Sequence, residues 1–361
     1  MARGEAKASS RSAGTPTREA ARARIASAGR YSIIEVAEHE MHRIITAVAA
    51  FFVALAAPVN AQTFPDRPVR ILVPYAPGGI TDIAARLVGA KLGEFWGQQV
   101  VVENRPGGNG LIAMTAAVRA APDGYTLVMA SGGDVSLNPA LLKAMPYDVE
   151  RDLVPITGVS DAPIVLAANS GSPFKSVADV IAAAKKDPGS VNVGTPGVGS
   201  ITNLVLEWLA LSTGTKFQNV PFKGGGPAVQ ALVSDVVPLG IMASSSVAPH
   251  VKSGTLRVLG VTSAKRSTLN PEWPTLQEQG VAEVNASNWT ALFAPKGTPQ
   301  AIIDKLNADV VKALNLPDVK ERFASGGVQV IPSTPSELAM RLKNELAISR
   351  SVVAKSGMHL E

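Results

Sequence analysis

Catalysis requires a nucleophile, an acid–base pair or a metal held by well-placed ligands, and this 361-residue chain is poor in all three. It contains no cysteine, which removes thiolate catalysis, disulfides and cysteine-ligated metals together. Beyond residue 61 the only histidines are His250 and His359, far apart in sequence. There is no Gly-x-Ser-x-Gly elbow and no His-Glu-x-x-His pair. Ser172-Pro173-Phe174-Lys175 matches the Ser-x-x-Lys of penicillin-binding enzymes, and Lys252-Ser253-Gly254 could mimic their third motif. The intermediate motif, Ser136-Leu137-Asn138, then falls before the first instead of after it, and Ser172 lies in a loop ahead of a helix cap. The phosphate loop Gly-x-x-x-x-Gly-Lys-Ser/Thr is absent, and the glycines at 194, 197 and 199 have the wrong spacing for a dinucleotide fingerprint. No catalytic residue, cofactor or metal is therefore expected.

What remains is a set of polar, uncharged residues at glycine-rich loop ends: Thr81, Ser131, Thr195, Ser200, Asn203, Ser244 and Ser245. Each alone reads equally well as a loop or capping residue. Together they supply hydrogen bonds without reactivity, as a pocket for a small anionic or polar solute requires.

The elements that must position them centre on residues 69–92. Val69, Ile71 and Val73 mark a core strand, Pro77, Gly78 and Gly79 break it, and an amphipathic helix follows, with Thr81 as its expected N-cap. Ile83, Leu87 and Leu92 are expected on the helix's apolar face. Such a turn gathers free N–H groups at the positive end of a helix dipole, suited to a carboxylate or phosphate. Further on, strands at 99–102 and 126–130 and a helix at 111–121 give a parallel sheet covered by helices, with glycine-rich loops at the carboxyl ends of the strands. Residues 131–139 are expected as a loop, and 155–168 as two short strands separated by Ser160-Asp161. A second α/β unit follows, with helices at 177–186 and 201–211 and strands at 190–193, 218–222, 239–242 and 256–262. Residues 288–295 read as a strand returning to the first unit, followed by a helix to 314 and a C-terminal helix from Pro335 capped by Ser333 or Thr334. Residues 73–79 (VPYAPGG) echo 220–226 (VPFKGGG), so each lobe is expected to offer one such loop to a shared cleft.

Residues 41–61 open with His42 and Arg43, continue through an uncharged, mostly apolar run and end on Val59-Asn60-Ala61, the pattern of a secretory signal cleaved near Ala61. Its core is too short to span a bilayer. Met41 is a candidate start, with residues 1–40 an upstream extension. The net charge of +5 is concentrated there: residues 1–61 account for +3 and the remaining 300 for only +2, without basic runs and interleaved aromatics, so nucleic acid is not an expected partner. An exported, periplasmic monomer is expected.

At its loops the sequence resembles the extracytoplasmic solute receptors of tripartite tricarboxylate transporters, the Bug receptors. The matching stretches are FPDRPVRILVPYAPGGITDIAARLVGAKL, VVENRPGGNGLIA, PDGYTLVMAS, GTPGVGSITNL and VPFKGGGPAVQAL, running in order over nearly the whole chain beyond residue 64. The resemblance implies a two-lobed α/β periplasmic binding protein of the type II, flytrap kind, with a mainly parallel sheet in each lobe and crossing strands between. It places residues 62–162 with 288–361 in one lobe and 163–287 in the other. It implies capture of a small carboxylate and delivery to membrane permease subunits. By position, the ligand-binding residues would be Tyr75, Ala76, Gly78, Gly79, Thr81 and Asp82 on one side, faced by Thr195, Gly197, Gly199, Ser200, Lys223, Gly224 and Gly225. The polar loop ends add Ser131, Asn203 and Ser244 to the expected ligand-binding set. Asp82 also reads as an acid stabilising its own helix, and Lys223 as a solvated loop residue. An exported hydrolase or isomerase, or a sensor presenting its ligand to a membrane kinase, is the alternative to transport. Asn203 stands where the family commonly has His, residues 234–238 (SDVVP) replace its usual Gly-Gly-x-Val-Asp, and Asp134 adds a negative charge expected near the cleft. Together these favour a ligand carrying an amine or amide, or fewer carboxylates.

Overall fold

Strand β1 (Val69–Val73) is buried on both faces, Val69, Ile71 and Val73 against one apolar cluster and Leu72 against another. A parallel strand with helices on either side needs such a continuous apolar run. The computed structural model describes Met41 and residues 64–359 apart from Glu283, so the expected export signal (Met41 aside) and residues 1–40 lie outside the described residues. Residues 63–361 form one unit, to which everything below refers.

In the first lobe β1 pairs in parallel with β2 (Val100–Asn104) and β3 (Thr126–Ser131). Helix α1 (Ile80–Trp96) lays Ala84, Ala85, Val88 and Leu92 on this sheet, and α2 (Leu111–Val118) covers the other face. Ile83, expected on the buried face of α1, is 44 % exposed, because the buried stripe runs one position later, through Ala84 and Val88. The N-cap of α1 is Gly79, not Thr81. Residues 131–139 are not an open loop. Ser136 Oγ donates to the Gly132 carbonyl (2.6 Å), and buried Val135 and Leu137 anchor a wide turn, Gly133–Leu137, that runs into the one-turn helix Asn138–Leu141.

The chain crosses to the second lobe on β4 (Leu153–Asn169), one 17-residue strand where two were expected. Ser160 and Asp161 do not interrupt it: Ser160 Oγ bonds Thr290 Oγ1 at 2.7 Å, and Asp161 Oδ2 pairs with Arg341 at 3.6 Å. Up to Pro163, β4 pairs antiparallel with the returning strand β9 (Ser287–Pro295). From Ile164 onward it pairs with β7 (Leu239–Ala243) and, from Val165, also with β8 (Leu256–Val261). Strands β5 (Asn192–Thr195) and β6 (Gln218–Pro221) extend the second lobe in parallel with β7. Around them lie α3 (Val177–Lys186), α4 (Ile201–Thr213), α5 (Gly225–Val233) and α6 (Ser244–Lys252). Alternate β4 residues serve opposite faces, Ile164, Leu166 and Ala168 against Val165 and Ala167, which makes the second lobe three-layered as well. The mixed α/β, two-lobed architecture is the expected one.

Helix α7 (Gln300–Leu314) packs on the first lobe, and the last helix, α8 (Pro335–Ser356), straddles both. Its Leu338, Leu342 and Leu346 enter the first lobe's core and Val352 the second's. Thr334 and Glu337 form the reciprocal capping box at its start. Where α8 meets the crossing strands, Arg341 Nε donates to Glu345 (3.0 Å), its guanidinium donates to Ser287 Oγ (2.9 Å) and lies over the Trp289 ring, and Trp289 Nε1 donates to Glu345 (2.6 Å). Burial pushes the Glu345 carboxyl upward against the opposing pull of Arg341 and Trp289. Removing the cation leaves a half-buried acid without its partner, so Arg341→Ala is expected to lower the unfolding free energy by about 1–2 kcal/mol, read from the urea midpoint.

Candidate functional site

The carboxyl ends of β1, β3, β5 and β6 lead into loops that face one cleft of about 680 Å³. Its first-lobe wall is Tyr75, Ala76, Pro77, Gly79, Ile80 and Thr81 with Ser131 and Gly133. The second-lobe wall is Gly199, Ser200 and Ile201 with Gly224 and Gly225. These are the N-terminal ends of three helices, α1, α4 and α5. The first intrahelical bond of α1 is Ile83 N–H to Gly79 O (2.9 Å), so the N–H groups of Ile80, Thr81 and Asp82 have no carbonyl within the helix to meet. In α5 the corresponding first bond is Ala228 N–H to Gly224 O (3.3 Å), leaving Gly225 and Gly226 likewise. Backbone donors and aligned peptide dipoles thus converge on the cleft from both lobes, an arrangement suited to an anion. The two echoing loops, 73–79 and 220–226, are the ones that deliver α1 and α5 to it.

The expected site residues divide into wall and support. Tyr75, Ala76, Gly79, Thr81, Ser131, Gly199, Ser200, Gly224 and Gly225 line the cleft. Asp82 does not; it lies buried beneath the turn, where Oδ2 accepts from Gly78 N–H (2.9 Å) and Arg86 Nε (3.1 Å), and Oδ1 from Asn104 Nδ2 (2.9 Å). Burial alone raises this carboxyl, but the bonds from Arg86, Gly78 and Asn104 outweigh it and hold it below the usual aspartate range. Asn203 does similar work in the second lobe: its Oδ1 accepts from Gly199 N–H (3.2 Å) and its own N–H donates to Ser200 Oγ (3.2 Å). Ser200 Oγ closes the turn on the Gly197 carbonyl (2.7 Å). Thr195 is fully buried and bonded to Asn219 (2.7 Å), Ser244 is buried at the start of α6, and Lys223 is exposed; like Gly78 and Gly197, none of the three lines the cleft.

Asp134 lies near the cleft without lining it: it is wholly buried behind Tyr75 and Ser131. Its Oδ2 accepts from Ser131 N–H (2.8 Å), Ser131 Oγ (2.8 Å) and the Tyr75 hydroxyl (3.0 Å). Burial pushes this carboxyl up to about 6 against those three bonds. The unfolded chain takes the same proton near 3.9. Between those values the folded state binds more protons, so stability falls as pH rises through this window and is flat above it. Relative to Asp134→Asn, the wild type is expected to lose about 2 kcal/mol between pH 4 and pH 7, read by chemical denaturation at each pH.

Residue types alone did not reveal Asn109, Asn138 and Asn288, which also line the cleft. Asn109 Nδ2 donates to Asn138 Oδ1 (2.6 Å), and Asn138 Nδ2 to the Asn109 carbonyl (2.8 Å). The one available signal was Asn109 inside a glycine run, where its positive φ of 55° suits asparagine. The residues that matched the penicillin-binding motif do not come together as one. Ser172 Oγ is buried with no partner among the described residues while Lys175 is exposed, and no acid–histidine group among the described residues could hold a metal. A second cavity of about 720 Å³ lies at the crossing strands, lined by Asp161, Arg341 and Glu345, whose charges answer one another.

Two lobes joined by long crossing strands, with a donor-rich cleft between them, define a solute-binding protein of the periplasmic type. The family model described as "Tripartite tricarboxylate transporter family receptor" matches residues 84–358, and the chain belongs to that family of receptors. Protein BugT of Bordetella pertussis is 38 % identical over 324 residues, covering 89 % of this chain and 99 % of that one. Among solved structures, R. palustris Rpa4515 with adipate superposes with a TM-score of 0.71 at 31 % identity, over 82 % of this chain and 99 % of the other. MatC from Rhodopseudomonas palustris with bound malate gives 0.68 at 32 % identity, over 80 % and 100 %. The family is one of receptors rather than enzymes, as the lack of reactive residues leads one to expect.

Proposed function

We propose that the protein captures a small carboxylate between its lobes in the periplasm and delivers it to the membrane permease subunits of a tripartite tricarboxylate-type transporter. The observation that carries this reading is the convergence of the α1, α4 and α5 N-termini on one cleft with no reactive group beside them. The lobes would be residues 62–162 with 288–361 and residues 163–287, which accords with the change of partners along β4 at Pro163 and Ile164. The carboxylate oxygens would meet N–H groups at Gly79, Ile80, Thr81 and Gly225 and the hydroxyl of Ser200. Asp82, Asn203, Gly78, Gly197 and Thr195 hold these loops in shape from behind. The protein acts as a monomer, without cofactor, after loss of an export signal near Ala61. That the two relatives above were solved with adipate and with malate supports a carboxylate as the ligand class.

Thermal unfolding of the full chain against a panel of mono-, di- and tricarboxylates tests the reading. A ligand at 100 to 1,000 times its Kd is expected to add about 3–4 kcal/mol of stability. Stabilisation by none of them, or turnover of an ester or isomerisable acid, would contradict it.

A further inference from the structure

The cleft has one corner that is not built from helix ends. Tyr75 OH lies 2.7 Å from Ser131 Oγ and 3.0 Å from Asp134 Oδ2, and Ser131 Oγ lies 2.8 Å from the same Oδ2. Tyr75 and Ser131 line the cleft, whereas Asp134 is sealed behind them. The other carboxylate oxygen, Oδ1, has no hydrogen-bond partner among the described residues and packs on the backbone at Gly110, where any Cβ would overlap it. The titratable groups facing Asp134 are Tyr75, from the β1 loop, and Tyr147, whose hydroxyl donates to the Asp134 carbonyl (2.9 Å); burial raises both phenols, and Asp134 raises them further.

Counting hydrogens fixes what this corner can offer. With Asp134 ionised, three oxygen–oxygen contacts share two hydroxyl hydrogens, so even with both hydrogens inside the triangle one pair goes without. If either hydroxyl turned toward a ligand, two oxygen pairs within 3.0 Å would face each other bare. Both hydrogens therefore stay inside the triangle, and the cleft sees only lone pairs of Tyr75 and Ser131. A carboxylate placed against them meets acceptors; a hydroxyl or ammonium meets partners.

We propose that the Tyr75–Ser131–Asp134 triangle is the specificity end of the cleft: the carboxylate that this protein captures also carries a hydrogen-bond donor, a hydroxyl or an amino group, which Tyr75 and Ser131 accept. The inference rests on the receptor reading above and adds the ligand's second functional group. Asp134 acts through the two hydroxyls as a positioning residue and touches no ligand itself.

The test uses the full chain at pH 8, where Asp134 is ionised, and skeleton-matched probes titrated calorimetrically: propionate and lactate, succinate and malate, glutarate and glutamate, adipate and 2-aminoadipate. In the tightest-binding pair the donor-bearing member is expected to bind at least tenfold tighter. In Tyr75→Phe/Ser131→Ala, which removes both acceptors, that ratio is expected to fall to about two or less. A donor-free member that binds equally or more tightly in the wild type overturns the inference while leaving the receptor reading intact, as does a ratio unchanged in the double variant. Should the double variant fail to fold, the wild-type ratio alone decides. Binding by none of the eight at millimolar concentration overturns this inference; the carboxylate reading falls with it only if the mono-, di- and tricarboxylate panel above also leaves the protein unstabilised.

Discussion

Gly79→Leu is expected to abolish carboxylate capture, weakening it at least a hundredfold, in a protein that still folds. Gly79 is the N-cap of α1, with φ −79° and ψ 167°, a conformation open to any residue. An added Cβ meets nothing nearer than the Ala76 carbonyl oxygen at 3.9 Å, so the backbone has room for it. The side chain, however, grows from the cleft wall beside the free N–H groups of Ile80 and Thr81, where a ligand oxygen must come within about 3 Å. Exchanging glycine for leucine at an N-cap costs at most about 1 kcal/mol. Gly78 offers a less clean comparison, because its φ of +89° makes any side chain strained by about 1–2 kcal/mol whatever the space around it. Calorimetric titration beside a urea melt separates the two effects. Undiminished binding by Gly79→Leu would contradict the placement of the ligand at this helix end.

Asp82→Ala is expected to remove about 3 kcal/mol of stability and to weaken ligand binding by tens of fold, although Asp82 does not line the cleft. The carboxylate ties Gly78 N–H, Arg86 and Asn104 together, and Asn104 Nδ2 also donates to the Tyr75 carbonyl (3.0 Å). The turn carrying Tyr75, Ala76 and Gly79 is therefore suspended from one buried acid, and its loss leaves several donors unanswered. The sign of the pH dependence is fixed by the lowered carboxyl. Its stabilisation is present in full above the unfolded value near 3.9 and is lost as pH falls through the folded value. The stability gap between wild type and Asp82→Asn should accordingly close in acid, over a window below that of Asp134.

Much of this fold could be read in the sequence because both lobes are built from helix-covered parallel strands, which give dense apolar runs followed by glycine-rich turns. Residues 69–79 and 220–226 announced their roles this way, and each proved to carry a helix end into the cleft. What stayed hidden depended on distant partners. The unbroken course of β4 through Ser160 and Asp161 requires Thr290 and Arg341, more than a hundred residues away. The burial of Asp134 requires Tyr75 and Tyr147 to close over it, so an acid in a glycine-rich segment was expected near the cleft and lies behind its wall. Asp82 and Asn203 belong to the site by supporting it, a distinction that side-chain type cannot make. Asn138 and Asn288 give no local signal, because their places in the cleft are set by the wide turn and by the crossing strand.

The most direct measurement is a crystal structure of the protein grown with the tightest-binding carboxylate of the panel. The expected result is a carboxylate group within about 3 Å of the backbone nitrogens of Ile80 and Thr81, with the second lobe closing on it through Gly225 and Ser200. A ligand held instead in the cavity at Asp161 and Arg341, or gripped in the cleft by a lysine or arginine side chain with the N-termini of α1 and α5 unoccupied, would contradict a clamp built from backbone N–H groups.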